Sequence, residues 1–400
     1  MKDFIFEYWQ YLFIPLVSGI IGWGTNVVAL RMTFYPINFI GIKPWFGWQG
    51  IIPAKAGKMA GKAVDLLTSD LITIDSQFAK LNPKQVAAEM RSEVRQITIE
   101  IIDRIMSIQL PHIWRVTPDL IKDRIYSDIA YNLPVAIELL FRDIKKNINS
   151  LFDLRKMVVE TLTQNKRLMN RIFQQVGKKE LRFIENSGFY FGLLFGIIQA
   201  IIWYFFHYWW ILPLSGLIVG YATNWLALKL IFFPERPIKI GWLVVQGMFV
   251  KRQKEVADEY AQIVARHILT PQKIFDTILL GSSSDLLYDL IYTNITRIVE
   301  DAGERHKPLL ELFSDNRIQA IKNLAALHFS FHLPVLLNKI YPSLKKSLDI
   351  EATLQKKMAE LPPDKYQGFL RPVFQEDEIK LILVGALLGF IAGGLQVFVF

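Results

Sequence analysis

The sequence predicts an all-α integral membrane protein with four transmembrane helices and two helical cytoplasmic domains, built as a tandem parallel duplication. Three observations lead to this prediction: long runs without charged residues, a similarity between the two halves of the chain, and helical periodicity between the runs. The composition agrees, because 52% of the 400 residues are hydrophobic and 21% are charged, which excludes a disordered chain. The absence of cysteine excludes disulfide frameworks, cysteine-ligated metals and thiol catalysis.

The first predicted span covers residues 8–34. No charged side chain occurs between Glu7 and Arg31. As a helix, this stretch is ~35 Å long and can cross a hydrocarbon core of ~30 Å. Because it has neither the basic flank nor the small-residue cleavage site of a signal peptide, we expect it to remain in the protein.

The other spans lie near the middle and at the end of the chain. No charged residue occurs from Asn186 to Leu228, which is long enough for two spans, 188–210 and 212–233. The aromatic residues at 207–210 and Pro213 mark the break between them. The last span is 379–400. Four such runs with aromatic ends are difficult to bury in a soluble core, so we favour membrane spans over buried soluble helices.

Basic residues predict the orientation. Lysine and arginine flank the cytoplasmic ends of the first three spans, at Lys43, Lys55, Lys58, Lys62, Lys178, Lys179, Arg182, Arg236, Lys239, Lys251, Arg252 and Lys254. By the positive-inside rule both long blocks are cytoplasmic and both termini face outward. These residues also explain much of the net charge of +9. Since no groove-reading motif accompanies them, we predict no nucleic-acid partner.

The two halves of the chain align with each other. An ungapped shift of 198 residues pairs 15–36 with 213–234 and matches glycine, threonine, asparagine and proline in register, including Gly22 with Gly220 and Asn26 with Asn224. We therefore predict repeat 1 over 1–200, with a cytoplasmic helical domain at 35–187, and repeat 2 over 201–400, with one at 234–378. Because both copies run in the same direction, a pseudo-two-fold axis along the membrane normal should relate them.

The cytoplasmic blocks have the pattern of helices. Asn82-Pro83 offers an N-cap followed by a proline, and apolar residues then recur every three or four positions from Val86 to Ile108. Thr117-Pro118 and Thr270-Pro271 are predicted to open further helices. No run of alternating residues with a hairpin turn is evident, so no strands are predicted.

Polar residues inside the spans are the candidates for a binding site: Thr25, Asn26, Gln199, Thr223, Asn224 and Gln396. A side-chain amide in hydrocarbon needs a hydrogen-bonding partner, and symmetry would bring Asn26 and Asn224 together near the axis. We expect the two glutamines to lie close by. Two interpretations stay open, a polar site between the repeats and hydrogen bonds that only hold helices together.

A second set of candidates follows the first span of each repeat and suits the cytoplasmic membrane surface: Trp45, Trp48, Gln49, Lys55, Trp242, Gln246, Lys251 and Arg252. Aromatic residues beside basic ones are typical of an amphipathic element that contacts anionic head groups.

Enzyme motifs are incomplete. The stretch 57–63 resembles a phosphate loop but lacks its glycine spacing and its hydroxyl residue, and His328 and His332 lack the glutamate of a zinc motif. We predict no catalytic residue, cofactor or metal site, and therefore no enzyme.

With these motifs in place, the sequence resembles the YheB/YjiN-like family of bacterial membrane proteins of unknown function. The resemblance rests on Gly-x-x-Thr-Asn at 22–26, Phe-x-Pro at 34–36 and Gln-Gly-x-x-Pro-x-Lys at 49–55. The second copy keeps the first two motifs and Gln246-Gly247 but has Val250 in place of the proline. The C-terminal region is similar to the cyanobacterial branch. The resemblance implies the bacterial inner membrane, or the thylakoid membrane in a cyanobacterium.

Three classes of function follow. A membrane-organising or scaffold protein, with the lipid bilayer, anionic head groups and unknown cytoplasmic proteins as partners, is the preferred prediction. The alternative is a transporter or conduit for a small solute or lipid, with the intramembrane polar residues lining its path. A membrane enzyme would need a site that the sequence does not show.

Overall fold

The structure is a computed structural model that describes residues 2–42, 46–241, 243–305, 314–368, 371 and 378–398. Trp45 and Trp242 lie outside the described residues. Most of the described residues are α-helical, and several helices are long and apolar enough to cross a membrane. The predicted fold class, an all-α membrane protein, is confirmed. The chain divides into two compact units, unit 1 (Met1–Leu71, Val158–Ile263 and Leu354–Phe400) and unit 2 (Ile72–Met157 and Val264–Thr353). Each unit draws on both halves of the chain, so the units do not coincide with the predicted repeats.

Unit 1 contains the long apolar helices α1 (Lys2–Phe34), α11 (Lys178–Phe205), α12 (Ile211–Phe232) and α20 (Glu378–Gln396). The shorter helices α2 (Ile51–Ala54), α3 (Ala56–Leu66), α10 (Lys166–Val176), α13 (Met248–Lys251) and α19 (Pro363–Gln367) belong to the same unit. A single π-helical stretch, Leu67–Leu71, follows α3. The long helices pack in two pairs, α1 with α11 and α12 with α20.

Five segments among the described residues are long and apolar enough to cross a membrane: Phe13–Phe34, Lys178–Phe205, Ile211–Phe232, Asp315–Ala359 and Glu378–Gln396. Four of them overlap the spans predicted from the sequence. The second predicted span extends too far, because its helix ends at Phe205 and the break before the next helix covers 206–210. The segment 315–359 was not among the predicted spans.

Two β-hairpins correct the prediction that the chain has no strands. Strand β1 (Ile40–Ile42) pairs with β2 (Phe46–Trp48), and β3 (Ile238–Ile240) pairs with β4 (Leu243–Val245), both antiparallel. Each hairpin follows a long helix, α1 or α12. Strands of three residues are too short to show alternation in a sequence, which is why the pattern did not reveal them.

Unit 2 contains α4 (Ile74–Ala79), α5 (Pro83–Gln109), α6 (Pro111–Val116), α7 (Asp119–Lys146), α8 (Ile148–Leu151), α15 (Pro271–Leu280), α16 (Ser284–Arg305) and α17 (Asp315–Leu348). Three more helices begin in one unit and end in the other: α9 (Leu154–Gln164), α14 (Gln253–His267) and α18 (Ile350–Ala359). In unit 2 the four longest helices, α5, α7, α16 and α17, pack against one another.

Helix starts in unit 2 follow the predicted capping. The side chain of Asn82 accepts a hydrogen bond from the backbone N–H of Lys84, and Thr270 accepts one from Lys273. These caps satisfy N–H groups that have no partner inside the helix. The predicted starts at Asn82-Pro83 and Thr270-Pro271 are confirmed, whereas α7 begins at Asp119, one residue after Pro118.

Candidate functional site

Glycines let the long helices of each pair touch through their backbones. A Cβ added to Gly22 would lie 2.3 Å from the carbonyl oxygen of Gly188, and one added to Gly220 would lie 2.2 Å from that of Gly385. Farther along the α12–α20 contact, a Cβ on Gly216 would lie 2.2 Å from the Gly389 oxygen. No real side chain fits at such distances. The glycine ladders are therefore contact surfaces between helices, which we call the glycine seams.

Asn26 and Asn224 do not meet. The Nδ2 of Asn26 donates to the carbonyl oxygen of Ile184 at 2.6 Å, and that of Asn224 donates to the carbonyl oxygen of Leu381 at 3.1 Å. Each asparagine thus bonds to backbone across its own glycine seam, and the expectation that the two amides pair is wrong. Glycine makes room for them: a Cβ on Gly385 would lie 1.9 Å from Nδ2 of Asn224.

The threonines of the same motifs bond within their own helices. Thr25 donates from Oγ1 to the carbonyl oxygen of Gly22 at 3.0 Å, and Thr223 donates to that of Gly220 at 3.4 Å. All four motif residues are buried. Local bonds of this kind satisfy a hydroxyl in hydrocarbon without providing a group to a ligand.

The glutamines meet each other. Gln199 donates from Nε2 to Oε1 of Gln396 at 3.2 Å, and Ser18 donates from Oγ to Oε1 of Gln199 at 2.9 Å. These three buried residues, the polar cluster, connect α1, α11 and α20. The cavity beside the polar cluster measures about 10 Å³, room for roughly one water molecule. Ser18 was not among the predicted residues; the signal available was a hydroxyl group within an apolar span.

Side-chain amides close the turn after α1 and after α12. Asn170 donates to the carbonyl oxygen of Phe34 at 2.6 Å, and Gln367 donates to that of Phe232 at 2.8 Å. Both acceptors belong to the last residue of a long helix, where carbonyl groups lack a partner within the helix. Neither amide was predicted from the sequence.

The predicted surface residues Gln49 and Gln246 also bond to backbone. Gln49 donates to the carbonyl oxygen of Ile37 at 2.7 Å, and Gln246 donates to that of Glu235 at 3.4 Å. The indole N–H of Trp48 donates to the carbonyl oxygen of Met32 at 3.2 Å. These side chains therefore stabilise the turns that hold the hairpins.

The hairpins themselves present apolar side chains to their surroundings. Ile40, Ile42 and Phe46 are exposed on the first hairpin, and Ile238 and Val244 on the second. Exposed apolar residues concentrated at the end of a membrane helix are typical of contact with the lipid interface.

Arg252 is engaged in a largely buried ion pair, which corrects its prediction as a lipid-contacting residue. Its Nη1 lies 2.6 Å from both carboxylate oxygens of Glu180, and its Nε lies 2.9 Å from Oε2 of Glu255. The side chains of Arg252 and Glu180 are 12% and 3% exposed. Of the other predicted cations, Lys251 is exposed and Lys55 is half-buried between α2 and α3.

The carboxylate of Glu255 lies between two cations. A hydrogen bond from Arg252, a second from Lys179 and the attraction of both charges lower the pKa of Glu255 to about 2. Burial acts to lower the pKa of Arg252, but its bonds with Glu255 and Glu180 outweigh this and raise it. Glu255 and Arg252 are therefore both charged at neutral pH.

A pocket of about 160 Å³ lies where α12 ends and α20 begins. This pocket was not predicted from the sequence. Two cations line it: Lys229 lies 4.7 Å from the ring centre of Trp225, and Arg371 lies 4.6 Å from that of Phe233. Glu378 lines it as well. Cations over aromatic rings at the end of a membrane helix suit a lipid head group.

Comparison with known proteins finds relatives described as UPF0754 membrane proteins. One from Synechococcus elongatus is 28% identical over 118 residues, which make up 28% of this chain and 28% of the relative. One from Staphylococcus carnosus is 26% identical over 198 residues, or 46% of this chain and 51% of the relative. One from Bacillus cereus is 44% identical over 62 residues, or 15% of this chain and 16% of the relative.

No protein-family model matches the chain. No solved structure matches it either. The aligned segments span about half or less of the length of these curated relatives. The relatives confirm the resemblance to a family of bacterial membrane proteins, and with the apolar helices they show a multi-pass bacterial membrane protein. Their descriptions name no activity.

Proposed function

We propose that this protein organises membranes: four spans anchor it, and unit 2 binds a lipid surface on the cytoplasmic side. The proposed spans are α1, α11, α12 and α20, arranged as two parallel repeats. Similar contacts in the two helix pairs support the duplication, since Asn26 and Asn224 each bond to backbone across a glycine seam. The glutamines of the two repeats bond to each other.

We assign α17, which forms most of the fifth apolar segment, to unit 2 and not to the membrane. Lys322 and Lys339 of α17 pair with Glu300 and Glu93 at 2.6 Å. Lys339 is also well exposed. An exposed lysine in the middle of a membrane span is costly, which supports a position of α17 in water.

The observation that carries the proposal is an apolar corner at the junction of α5, α6 and α7. It consists of five exposed aliphatic side chains, of which Val116 and Leu120 are 77% and 81% exposed; the others are Ile108, Ile113 and Ile121. Burying an aliphatic side chain of this size contributes about 1.5–3 kcal/mol. Several of them on one corner favour association with an apolar phase.

The apolar corner has a rigid foundation. Trp114 lies buried beneath it and donates from Nε1 to Oδ1 of Asp103 at 2.9 Å. Tyr126 donates its hydroxyl to the same oxygen. One carboxylate thus ties α6 and α7 to α5. These bonds fix the three helices that carry the exposed side chains.

The charges around the apolar corner favour a lipid surface as the partner. Arg104, Arg115 and Arg124 are exposed there, and Lys122 lies 5.2 Å from the ring centre of Trp114. Asp103 beneath the corner, Asp119 and Asp123 oppose them in part, which leaves a small excess of cations. Aliphatic side chains among an excess of cations are typical of proteins that insert into the head-group region of anionic membranes.

The polar cluster supports an organising role over the alternative of a conduit. Ser18 and Gln199 donate within the cluster, the buried Nε2 of Gln396 has no hydrogen-bond partner among the described residues, and the space beside the cluster measures about 10 Å³. A solute path would need a wider polar interior. We therefore interpret the intramembrane polar residues as hydrogen bonds that hold helices together.

Vesicle flotation tests the proposal. The full chain in nanodiscs, mixed with vesicles of phosphatidylcholine and phosphatidylglycerol, should float with the vesicles. Leu120→Glu should lower the apparent affinity at least about tenfold, because it places a charge where an aliphatic group enters the lipid. Leu280→Glu is the matched control, since Leu280 is 84% exposed in unit 2 but lies on α15, outside the apolar corner. Equal flotation of Leu120→Glu and the control would reject the proposal.

A further inference from the structure

A partly open cavity of about 140 Å³ lies in unit 2, between α5, α7, α16 and α17. All four helices contribute aliphatic or aromatic side chains to its wall, among them Ile101, Ile105, Ile129, Ile298 and Phe329. Well-packed interiors rarely contain voids much larger than a water molecule. A cavity of this size in the middle of a bundle is therefore a feature that needs an explanation.

The described residues of the wall offer no free polar group to a ligand. Thr98 carries the single hydroxyl among the lining residues, and its Oγ1 donates to the carbonyl oxygen of Val94 at 2.7 Å. A water molecule needs two or more polar partners, so an apolar cavity favours apolar molecules over water. The lining therefore suits a hydrocarbon better than a polar solute.

The lining of the cavity extends along the helices. Its lining on α5 runs from Thr98 to Met106, a distance of ~12 Å along a helix. Small side chains on the facing helices, Ala302 and Ala325, leave the space open. A slot of these proportions fits one unbranched chain better than a compact ring system.

The cavity lies in the half of the bundle that carries the apolar corner. Ile102 and Ile125 line the cavity and also pack with Trp114 beneath the corner. The pair between Arg305 and Asp128, with 2.9 Å between Nε and Oδ2, brings the end of α16 to this same half. An apolar chain that enters from the corner would reach the cavity along a short apolar route.

We propose that this cavity binds one acyl chain of a membrane phospholipid. The occupant follows from the lining, which suits a hydrocarbon, from the length of the lining along the helices, and from the lipid surface that the apolar corner is proposed to bind. The inference rests on the proposed function for access to lipid, but it names a separate site, because the apolar corner can bind a lipid surface whether or not a chain enters the bundle.

Photocrosslinking tests the site. The full chain is reconstituted in vesicles that contain a phosphatidylcholine with a diazirine at the end of one acyl chain. After illumination, mass spectrometry should find lipid adducts within 98–106 and 321–329. Ala302→Leu and Ala325→Leu, which fill the slot, should lose these adducts. Ala320→Leu is the control on the same helix, since residue 320 is not part of the wall.

Stability and flotation separate a filled cavity from a damaged fold. The filled variants should unfold at the same temperature as the wild type or higher, because added methyl groups replace empty space. If a leucine proves too large and unfolds the bundle, Ala302→Val makes the same test with less added volume. All filled variants should still float with vesicles, because the apolar corner is unchanged. A failure of the proposed lipid binding by the corner would therefore appear in the flotation of Leu120→Glu and not in that of the filled variants. The inference is overturned if the wild type gives no adduct in either segment, or if a folded filled variant gives as many as the control.

Discussion

Gly22 faces Gly188 so closely that a methyl group on Gly22 would lie 2.3 Å from the Gly188 carbonyl oxygen. In the same helix, Gly24 has no neighbour within 4 Å of an added Cβ. Two glycines separated by one residue therefore differ completely in what a side chain would meet. This contrast allows the glycine seam to be tested within a single helix.

Gly22→Ala should destabilise the protein by about 1–3 kcal/mol, because α1 and α11 must move apart to admit the methyl group. Gly24→Ala should leave stability unchanged or raise it by up to about 1 kcal/mol, since alanine favours a helix. Unfolding of the full chain by sodium dodecyl sulfate in mixed micelles measures both. Equal effects of the two substitutions would show that the seam does not hold the helices together.

The asparagines should behave as independent hydrogen bonds. Asn26→Leu and Asn224→Leu should each cost about 0.6–2 kcal/mol, and the double variant should show the sum, because the amides bond to different carbonyl groups. Any loss of vesicle binding should follow the loss of stability. A double variant that unfolds like the wild type but no longer binds vesicles would instead favour a binding site at the asparagines.

The glutamines should behave as a coupled pair. Gln199→Leu and Gln396→Leu each break the same bond, so the double variant should cost less than the sum of the two single variants. A double-mutant cycle on the unfolding free energy measures the difference. Strict additivity would contradict the contact between the two side chains.

Arg252 should be required for folding. Arg252→Met leaves the buried carboxylate of Glu180 without its partner, which typically costs about 3–5 kcal/mol. The double variant Arg252→Met/Glu180→Leu should recover much of that loss, because it removes both charges. Lys251→Met, at an exposed neighbouring cation, is the control and should change stability little. If Arg252→Met left the free energy of unfolding unchanged, this would contradict the buried ion pair.

Glu255 should make the protein sensitive to acid. Its pKa falls from 4.5 to about 2 on folding, so between these values the unfolded state binds the proton more readily. The stabilisation is complete above pH 4.5 and is lost as the pH falls toward 2. Thermal unfolding across this window should show a steeper loss in the wild type than in Glu255→Gln. Parallel curves would contradict the depressed pKa.

Topology is open to a direct test in this cysteine-free chain. Single cysteines at Ser150 and Ser314, which are exposed, should resist a membrane-impermeant thiol reagent in intact cells and react after lysis. A cysteine at Trp209, in the break between α11 and α12, should react in intact cells. Labelling of Ser150→Cys in intact cells would show that the proposed orientation is wrong.

Much of the helix pattern could be predicted because its signals are local. Uncharged runs located α1, α11, α12 and α20, and the cap at Asn82 located the start of α5. Hydropathy and capping depend on residues within a turn or two of one another. The end of α11 was missed because an aromatic, uncharged sequence continues past Phe205 without a helix breaker until Pro213.

The candidate sites depended on contacts that sequence does not encode locally. The sequence predicts a surface cation at Arg252, beside Lys251, yet Arg252 bonds to Glu180, which is 72 residues away along the chain. The sequence predicts that Asn26 pairs with Asn224, yet in the structure Asn26 bonds to the carbonyl group of Ile184 across a glycine seam. Backbone acceptors are present at every residue, so no pattern of side chains identifies which one a buried amide will use.

The sequence by itself determined that this is a helical membrane protein, because a hydrocarbon core demands long uncharged helices wherever they occur. It also determined which residues had to be hydrogen-bonded or closely packed, namely the polar and glycine residues of those helices. Only the tertiary structure decided their partners. It also built unit 2 from segments of both halves of the chain and left an apolar cavity between them. Packing between distant segments is set by the fit of many side chains at once, and no single stretch of sequence contains that information.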